Sequence, residues 1–369
     1  MKKIIHIITG LDNGGAEMML YKLLSNIEKG KYDIEVVSMT DEGFFGSKIK
    51  DLGIKVHTLD MKKGIPTISG IKKAVNIVKD ADVVQTWMYH SDLLGLIVCK
   101  IAGIKKLIWG IHHSNLDKDK NKKLVLLVAK VNSMLSKYTY KITSCSTYAT
   151  KVHIDFGYDE SKFVNIPNGF DLDMYYNREG SRESVCRELN IDSNKKIVCH
   201  VARWDILKDY KTLTTSLGIV SKELKDVEFI LCGGSIDNNN IELKDLLKQN
   251  NISKNTHLLG IRSDIPKIMS AADIFVLSSS GEAFPNVIGE AMACETPCVV
   301  TDVGDCKYIV DQYGTAVEKQ NPTELANGII NMLKLGDNEL INLGIKSRER
   351  VIDNFEISKV VNMFENLYK

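Results

Sequence analysis

Short apolar runs rich in Ile and Val alternate with amphipathic stretches along the chain. In the first half the runs are IIHII at 4–8, IEVVSM at 34–39, ADVVQT at 81–86, KLIWGI at 106–111, YKITS at 140–144 and FVNIP at 163–167. Runs that are apolar on both faces and separated by helical patterns predict parallel strands covered on both sides. Between the first two, AEMMLYKLLSNI at 16–27 places Met19, Leu20, Leu23, Leu24 and Ile27 on one helical face. The stretch NGFDLDMYYNREG at 168–180 breaks the rhythm with Asn, Gly and Asp and reads as a linker. The alternation then restarts with KIVCHVA at 196–202, VEFILCG at 227–233, THLLG at 256–260, DIFVLS at 273–278 and TPCVVTD at 296–302. A last helical stripe, Ile357, Val360, Val361, Phe364 and Leu367, needs a surface to bury against. The pattern predicts two doubly wound α/β domains facing a cleft, with ligands at the carboxyl ends of their strands.

Composition agrees with this division. A chain of 369 residues is long enough for two or three domains, and 44% apolar with 26% charged residues excludes disorder, coiled coil and collagen. The net charge of +1 argues against a nucleic-acid footprint across the surface, but it hides a split. Residues 1–175 hold 25 lysines, no arginine and 19 acids, whereas 176–369 hold 23 basic and 28 acidic residues. Eight cysteines include no Cys-x-x-Cys pair, and Cys294 and Cys298 have no further ligands nearby, so reduced buried thiols in a cytoplasmic protein are expected. The N-terminus MKKIIHIITGLDNGG lacks a cleavage pattern, and no stretch approaches the ~20 apolar residues of a membrane span.

Three motifs carry candidate chemistry. The first is the turn Thr9-Gly10-Leu11-Asp12-Asn13-Gly14-Gly15, where glycines before a helix let backbone N–H groups approach a phosphate. Its spacing is not that of the dinucleotide fingerprint, which argues against a dehydrogenase. The second is SSSGEAFPNVIGEAMACETPCVVTDVGD at 278–305. There Glu282 and Glu290 flank Pro285 and Asn286, where a helix would begin among small apolar neighbours. Eight residues span at most about 12 Å along a helix, enough to grip both ends of a sugar nucleotide with N–H donors for a diphosphate between. The third is the pair His112-His113 after KLIWGI. Adjacent histidines on extended chain point opposite ways, so a metal site there is disfavoured. The strings Asp117-Lys118-Asp119 and Asp171-Leu172-Asp173 read as solvated loop acids.

Taken together these motifs resemble the retaining glycosyltransferases of family 4, which have the GT-B fold and a Glu-x7-Glu signature. GGAE at 14–17, IPNGFD at 166–171, HVARWDILKDYKTL at 200–213, LCGG at 231–234 and LLGIRSDIPKIMSAADIFVLSS at 258–279 follow that family's order, over most of residues 1–310. The resemblance implies an N-terminal Rossmann-like acceptor domain over 1–172, rejoined by a C-terminal helix at about 355–369, and a nucleotide-sugar donor domain over 173–354. It implies that Gly14 and Gly15 contact the donor diphosphate and that Arg203 and Lys208 neutralise it. It implies that Glu282 faces the donor sugar and Glu290 the ribose, while Phe284, Pro285, Asn286 and Val287 line sugar and phosphate. Arg262 lies where the family's backbone meets the base. His113, with His112 as the fallback, would bond the transferred sugar near the reacting carbon. The implied reaction is transfer of a hexose-type sugar, UDP-linked, to a carbohydrate or lipid-linked glycan in cell-surface polysaccharide synthesis, with no metal and no cofactor. A sugar-nucleotide epimerase of the same fold and a non-catalytic sugar-nucleotide-binding subunit are the alternatives. Glu295 and Ala202 depart from the family's usual glycines.

The segment 118–141 carries seven lysines beside an apolar stripe of Leu124, Leu127, Val128, Val131, Leu135 and Tyr138. A core-packed helix with a solvated basic side is the simpler expectation. Peripheral contact with the inner face of a membrane holding a lipid-linked acceptor is the sharper one.

Overall fold

The computed structural model describes all residues except 13, 63–64, 115 and 117–121. The chain divides into two compact units, Met1–Gly169 with Ile357–Lys369, and Phe170–Glu356. Unit 1 is built on seven parallel strands: β1 (Lys2–Ile8), β2 (Tyr32–Ser38), β3 (Lys55–Thr58), β4 (Val83–Trp87), β5 (Leu107–Ile111), β6 (Lys141–Ser144) and β7 (Phe163–Asn165), in the order β3-β2-β1-β4-β5-β6-β7. Unit 2 has six: β8 (Lys196–Val201), β9 (Val227–Cys232), β10 (Thr256–Leu258), β11 (Ile274–Leu277), β12 (Cys298–Thr301) and β13 (Thr315–Val317), in the order β10-β9-β8-β11-β12-β13. In both orders the winding reverses beside the first strand, which places the ligand-binding position outside the carboxyl ends of β1 and β4 in one unit and of β8 and β11 in the other.

Burial explains why these elements form. On one face of the unit 1 sheet, Met19, Leu20, Leu23 and Leu24 of the helix Gly15–Asn26 pack with Ile4, Ile8, Val36 and Val83. The C-terminal helix Ile357–Tyr368 completes this cluster with Ile357, Val360, Val361 and Phe364, at about 1.5–3 kcal/mol for each large apolar side chain buried. Leu367 packs partly buried against the same cluster, and Tyr368 extends the stripe. The Tyr368 ring is fully buried and its hydroxyl donates to Gln85 Oε1 at 2.6 Å, a polar anchor that Leu367 lacks. In unit 2 the helices Tyr210–Glu223 and Pro322–Leu333 bury Leu213, Leu217, Val220, Leu325 and Ile329 against Val198, Phe229, Val276 and Val299. All eight cysteines are buried and none forms a disulfide.

One local expectation needs adjustment. Lys118, Lys120 and the Asp117–Asp119 string lie outside the described residues. The helix Lys123–Leu135 does not bury the stripe read from the sequence. It packs Val128, Ala129, Asn132 and Ser133 inward, with Asn132 Nδ2 donating to Tyr89 O at 2.9 Å, and this turns Leu124, Leu127, Met134 and Tyr138 outward. Asp171 acts as a turn residue, its Oδ1 accepting from the Asp173 and Met174 N–H groups at 3.0 and 3.1 Å.

Candidate active site

In unit 2, β8 delivers Ala202 and Arg203 to the switch point. The turn is possible because Gly233, at φ +143, lies so close that a Cβ there would sit 2.0 Å from Ala202 O. Asp205 then caps a single turn, Ile206–Lys208, accepting from the Leu207 N–H at 2.9 Å. Its other oxygen accepts from Arg203 Nη2 at 3.0 Å. Burial works against the Asp205 carboxylate, yet the Leu207 N–H and Arg203 hold it below the usual range. Arg203 is 69% exposed, so this pair is worth only about 0–1 kcal/mol and is readily exchanged for a ligand.

Lys208 is held differently. Its Nζ meets Glu282 Oε1 at 2.5 Å, and the two side chains are only 20% and 13% exposed. The serine run at the carboxyl end of β11 builds this pair. Ser278 Oγ donates to Lys208 O at 2.7 Å, the Ser280 N–H to Leu207 O at 2.7 Å, and Ser279 Oγ to Glu282 Oε1 at 2.7 Å. Gly304, at φ +55, backs the loop, since a Cβ there would fall 2.4 Å from Glu282 O. Phe284 is buried and stacks on Phe170 with centroids 6.3 Å apart. Pro285 then opens the helix Asn286–Ala293, whose start carries no side-chain cap and presents the positive end of the helix beside Val287. Glu290, half-buried on that helix, faces Tyr175, whose phenol is held above its ordinary range by burial first and by this carboxylate second. The Arg262 guanidinium is clamped by Glu188 at 2.6 Å and Asp264 at 2.8 Å, both of which raise its pKa, so its side chain is engaged within unit 2.

The structure thus brings Lys208 and Glu282 together, sets Phe284, Pro285, Asn286 and Val287 just beyond them, and engages the Arg262 side chain with Asp264 and Glu188. Ser278, Ser279, Ser280 and Tyr175 were not singled out from the sequence. The serine run at a strand's end was a usable signal for the first three. Tyr175, inside a linker, offered none.

In unit 1, Gly14 is extended (φ −140) at the start of the helix Gly15–Asn26, again without a side-chain cap. A Cβ at Gly14 would lie 2.4 Å from Glu17 Oε2, so the glycine makes room for that carboxylate to fold back over the turn. Burial raises the Glu17 pKa, opposed by its own N–H. At the end of β5 the two histidines part. His112 stacks on Trp87 at 4.9 Å and 13°, its Nε2 is shut from solvent without a partner, and burial lowers its pKa to about 4. His113 is exposed. Among the described residues no three His, Cys, Asp or Glu side chains converge as a metal site, and no helix is long and apolar enough to cross a membrane.

Two doubly wound units, one presenting a cation–carboxylate pair ahead of an uncapped helix at its switch point, define a glycosyltransferase of the GT-B class. Residues 181–355 match the family model described as Glycosyl transferases group 1, and residues 13–174 match Glycosyltransferase Family 4, so the chain is a group 1 glycosyltransferase. It is 26% identical over 325 residues to the UDP-Gal:alpha-D-GlcNAc-diphosphoundecaprenol alpha-1,3-galactosyltransferase of Escherichia coli, covering 83% of this chain and 81% of that one. It is also 26% identical, over 97% of this chain and 98% of the other, to the N,N'-diacetylbacillosaminyl-diphospho-undecaprenol alpha-1,3-N-acetylgalactosaminyltransferase of Campylobacter jejuni subsp. jejuni serotype O:2. The crystal structure of Anabaena Alr3699/HepE in complex with UDP shares the fold, with a TM-score of 0.87, 22% identity and 99% of each chain covered.

Proposed function

We propose that the chain transfers a hexose-type sugar, with retention, from a UDP-linked donor to a lipid-linked glycan acceptor in cell-surface polysaccharide synthesis. The observation that carries this reading is the Lys208–Glu282 pair at the carboxyl ends of β8 and β11, directly ahead of the uncapped helix Asn286–Ala293. A donor diphosphate brings negative charge to Lys208 and recruits the exposed Arg203. Glu282, released from the lysine, then accepts hydrogen bonds from sugar hydroxyls. The Phe284–Val287 backbone meets sugar and phosphate, Glu290 exchanges Tyr175 for the ribose, and the backbone at Arg262 meets the base. Gly14 and Gly15 offer further N–H donors to phosphate.

As the bond from the anomeric carbon to the leaving phosphate oxygen breaks, an acceptor hydroxyl attacks from the same side and gives its proton to that oxygen. His113 bonds the sugar near this carbon. The charge growing on the leaving group is met by Arg203 and Lys208, which makes the reaction metal-independent. The acceptor class draws support from the diphosphoundecaprenol acceptors named in both relatives. The exposed Leu124, Leu127, Met134 and Tyr138 beside Lys123, Lys130 and Lys137 are proposed as a peripheral contact with an anionic membrane surface.

The test is a panel of UDP-sugars in a thermal-shift assay, followed by transfer from the binders to GlcNAc-diphosphoundecaprenol. A donor at 100 times its Kd adds about 2.7 kcal/mol of stability to the wild type. Lys208→Ala abolishes that shift and lowers kcat/KM by about 10²–10³. EDTA leaves the rate unchanged. A midpoint unmoved by every nucleotide sugar, or a rate lost to EDTA and restored by Mg²⁺ or Mn²⁺, contradicts the corresponding part.

A further inference from the structure

Six histidines outside the β5 loop read from the sequence as structural imidazoles: His6, His57, His90, His153, His200 and His257. Five of them have partners. His6 accepts from Trp87 Nε1 at 3.2 Å, His57 pairs with Glu35, His153 with the Tyr89 hydroxyl at 2.7 Å, His200 with Val276 O at 2.8 Å and His257 with Glu228 at 2.9 Å. His90 is the exception. Among the described residues no hydrogen bond or ion pair reaches its imidazole, although it is half-buried and burial lowers its pKa. Its ring nitrogens are not sealed from solvent, so a ligand can reach them.

The backbone specifies where His90 sits. It is the second residue of the helix Tyr89–Ala102, which leaves directly from the carboxyl end of β4, the strand bordering β1 at the switch point. Between strand and helix, Met88 has φ 75 and ψ 159, a region essentially reserved for glycine. Its neighbours hold it there. The Met88 N–H donates to Gly110 O at 2.9 Å, while Met88 O accepts from Ser91 Oγ at 2.8 Å and from the Asp92 N–H at 3.0 Å. Gly110 must itself be glycine, because a Cβ would lie 2.6 Å from Thr86 O. Strained backbone that its surroundings over-determine sets this helix start, and with it His90, at the ligand-facing edge of the sheet.

We infer that His90 is an acceptor-recognition residue whose imidazole hydrogen-bonds a hydroxyl of the incoming saccharide. The inference rests on the transferase reading above, with unit 1 as the acceptor unit. A neutral imidazole carries one donor and one acceptor and so matches a hydroxyl, which is both. An anionic group would instead call for cations.

The experiment uses the full chain with UDP-galactose and GlcNAc-diphosphoundecaprenol in detergent micelles. It measures the KM of each substrate, and UDP release without acceptor. His90→Ala raises the acceptor KM about 10-fold, the loss of one hydrogen bond, and leaves the UDP-galactose KM and UDP release unchanged. His90→Gln restores part of the loss. Met88→Gly relaxes the turn without touching the imidazole and raises the same KM by a smaller factor. An unchanged acceptor KM in His90→Ala overturns the inference while the transferase reading stands. Equal losses for both substrates also overturn it, because they show a structural role. A wild type that releases UDP but does not transfer to this acceptor overturns the acceptor class and the inference together. A wild type that binds no nucleotide sugar overturns the transferase reading itself.

Discussion

Glu295 stands at φ +62 just after the helix Asn286–Ala293, in left-handed backbone that favours glycine. Its carboxylate accepts from Asn177 Nδ2 at 2.9 Å, an exposed bond of small worth. Glu295→Gly is expected to stabilise unit 2 by about 1 kcal/mol, read as a higher unfolding midpoint with unchanged transfer. A lower midpoint would show that the Asn177 bond outweighs the strain. Asp92 tests burial instead. Its Oδ1 accepts from Thr86 Oγ1 and from the Gly110 N–H at 3.4 Å, while Oδ2 is buried without a partner. Burial pushes this carboxyl well above the usual range, only partly offset by Thr86 and Gly110. The folded chain therefore keeps a proton that the unfolded chain loses above about pH 4. The stability contributed by this proton is complete below that pH and declines as pH rises through the folded pKa. Asp92→Asn removes the titration, so in urea unfolding its stability relative to wild type improves as pH rises. A difference that does not change with pH contradicts the assignment.

Among elements, legibility followed burial. Every apolar run read from the sequence forms a strand, and the central ones, β1, β4, β5, β8, β9, β11 and β12, stand out because nearly all their side chains are buried. β3 (KVHT) and β13 (TAV) were not legible. They are edge strands of four and three residues with at most one buried side chain. The spacing of Glu282 and Glu290 was visible as a motif. That Glu282 holds Lys208 and Ser279 while Glu290 faces Tyr175 was not, because contacts between loops leave no periodic trace. The basic helix was legible only in outline. Its inward face is set one residue around by Asn132, which leaves Leu127 60% and Met134 61% exposed. Replacing both with Ser is expected to weaken binding to phosphatidylglycerol-containing vesicles several-fold without lowering stability. Binding should also fall as salt screens Lys123, Lys130 and Lys137. Binding that neither change affects would contradict membrane contact through this helix.

Over the whole molecule, the near-zero net charge divides into a basic first half and an acidic second half. The basic excess belongs to the half that carries the exposed lysine helix. The acidic half nevertheless places Arg203 and Lys208 at its switch point, so local placement rather than net charge equips it for a diphosphate. The pairing of the C-terminal helix with unit 1 brings both ends of the chain into one unit, and the Lys2 ammonium donates to Tyr368 O at 3.1 Å. The most direct measurement is the anomeric configuration, by proton NMR, of the glycan formed from the α-linked UDP-sugar that most raises the wild-type midpoint. An α-linked product from the wild type, and loss of that product with Glu282→Gln, is the predicted result. A β-linked product, or undiminished transfer by Glu282→Gln, would contradict retention or the role of the Lys208–Glu282 pair.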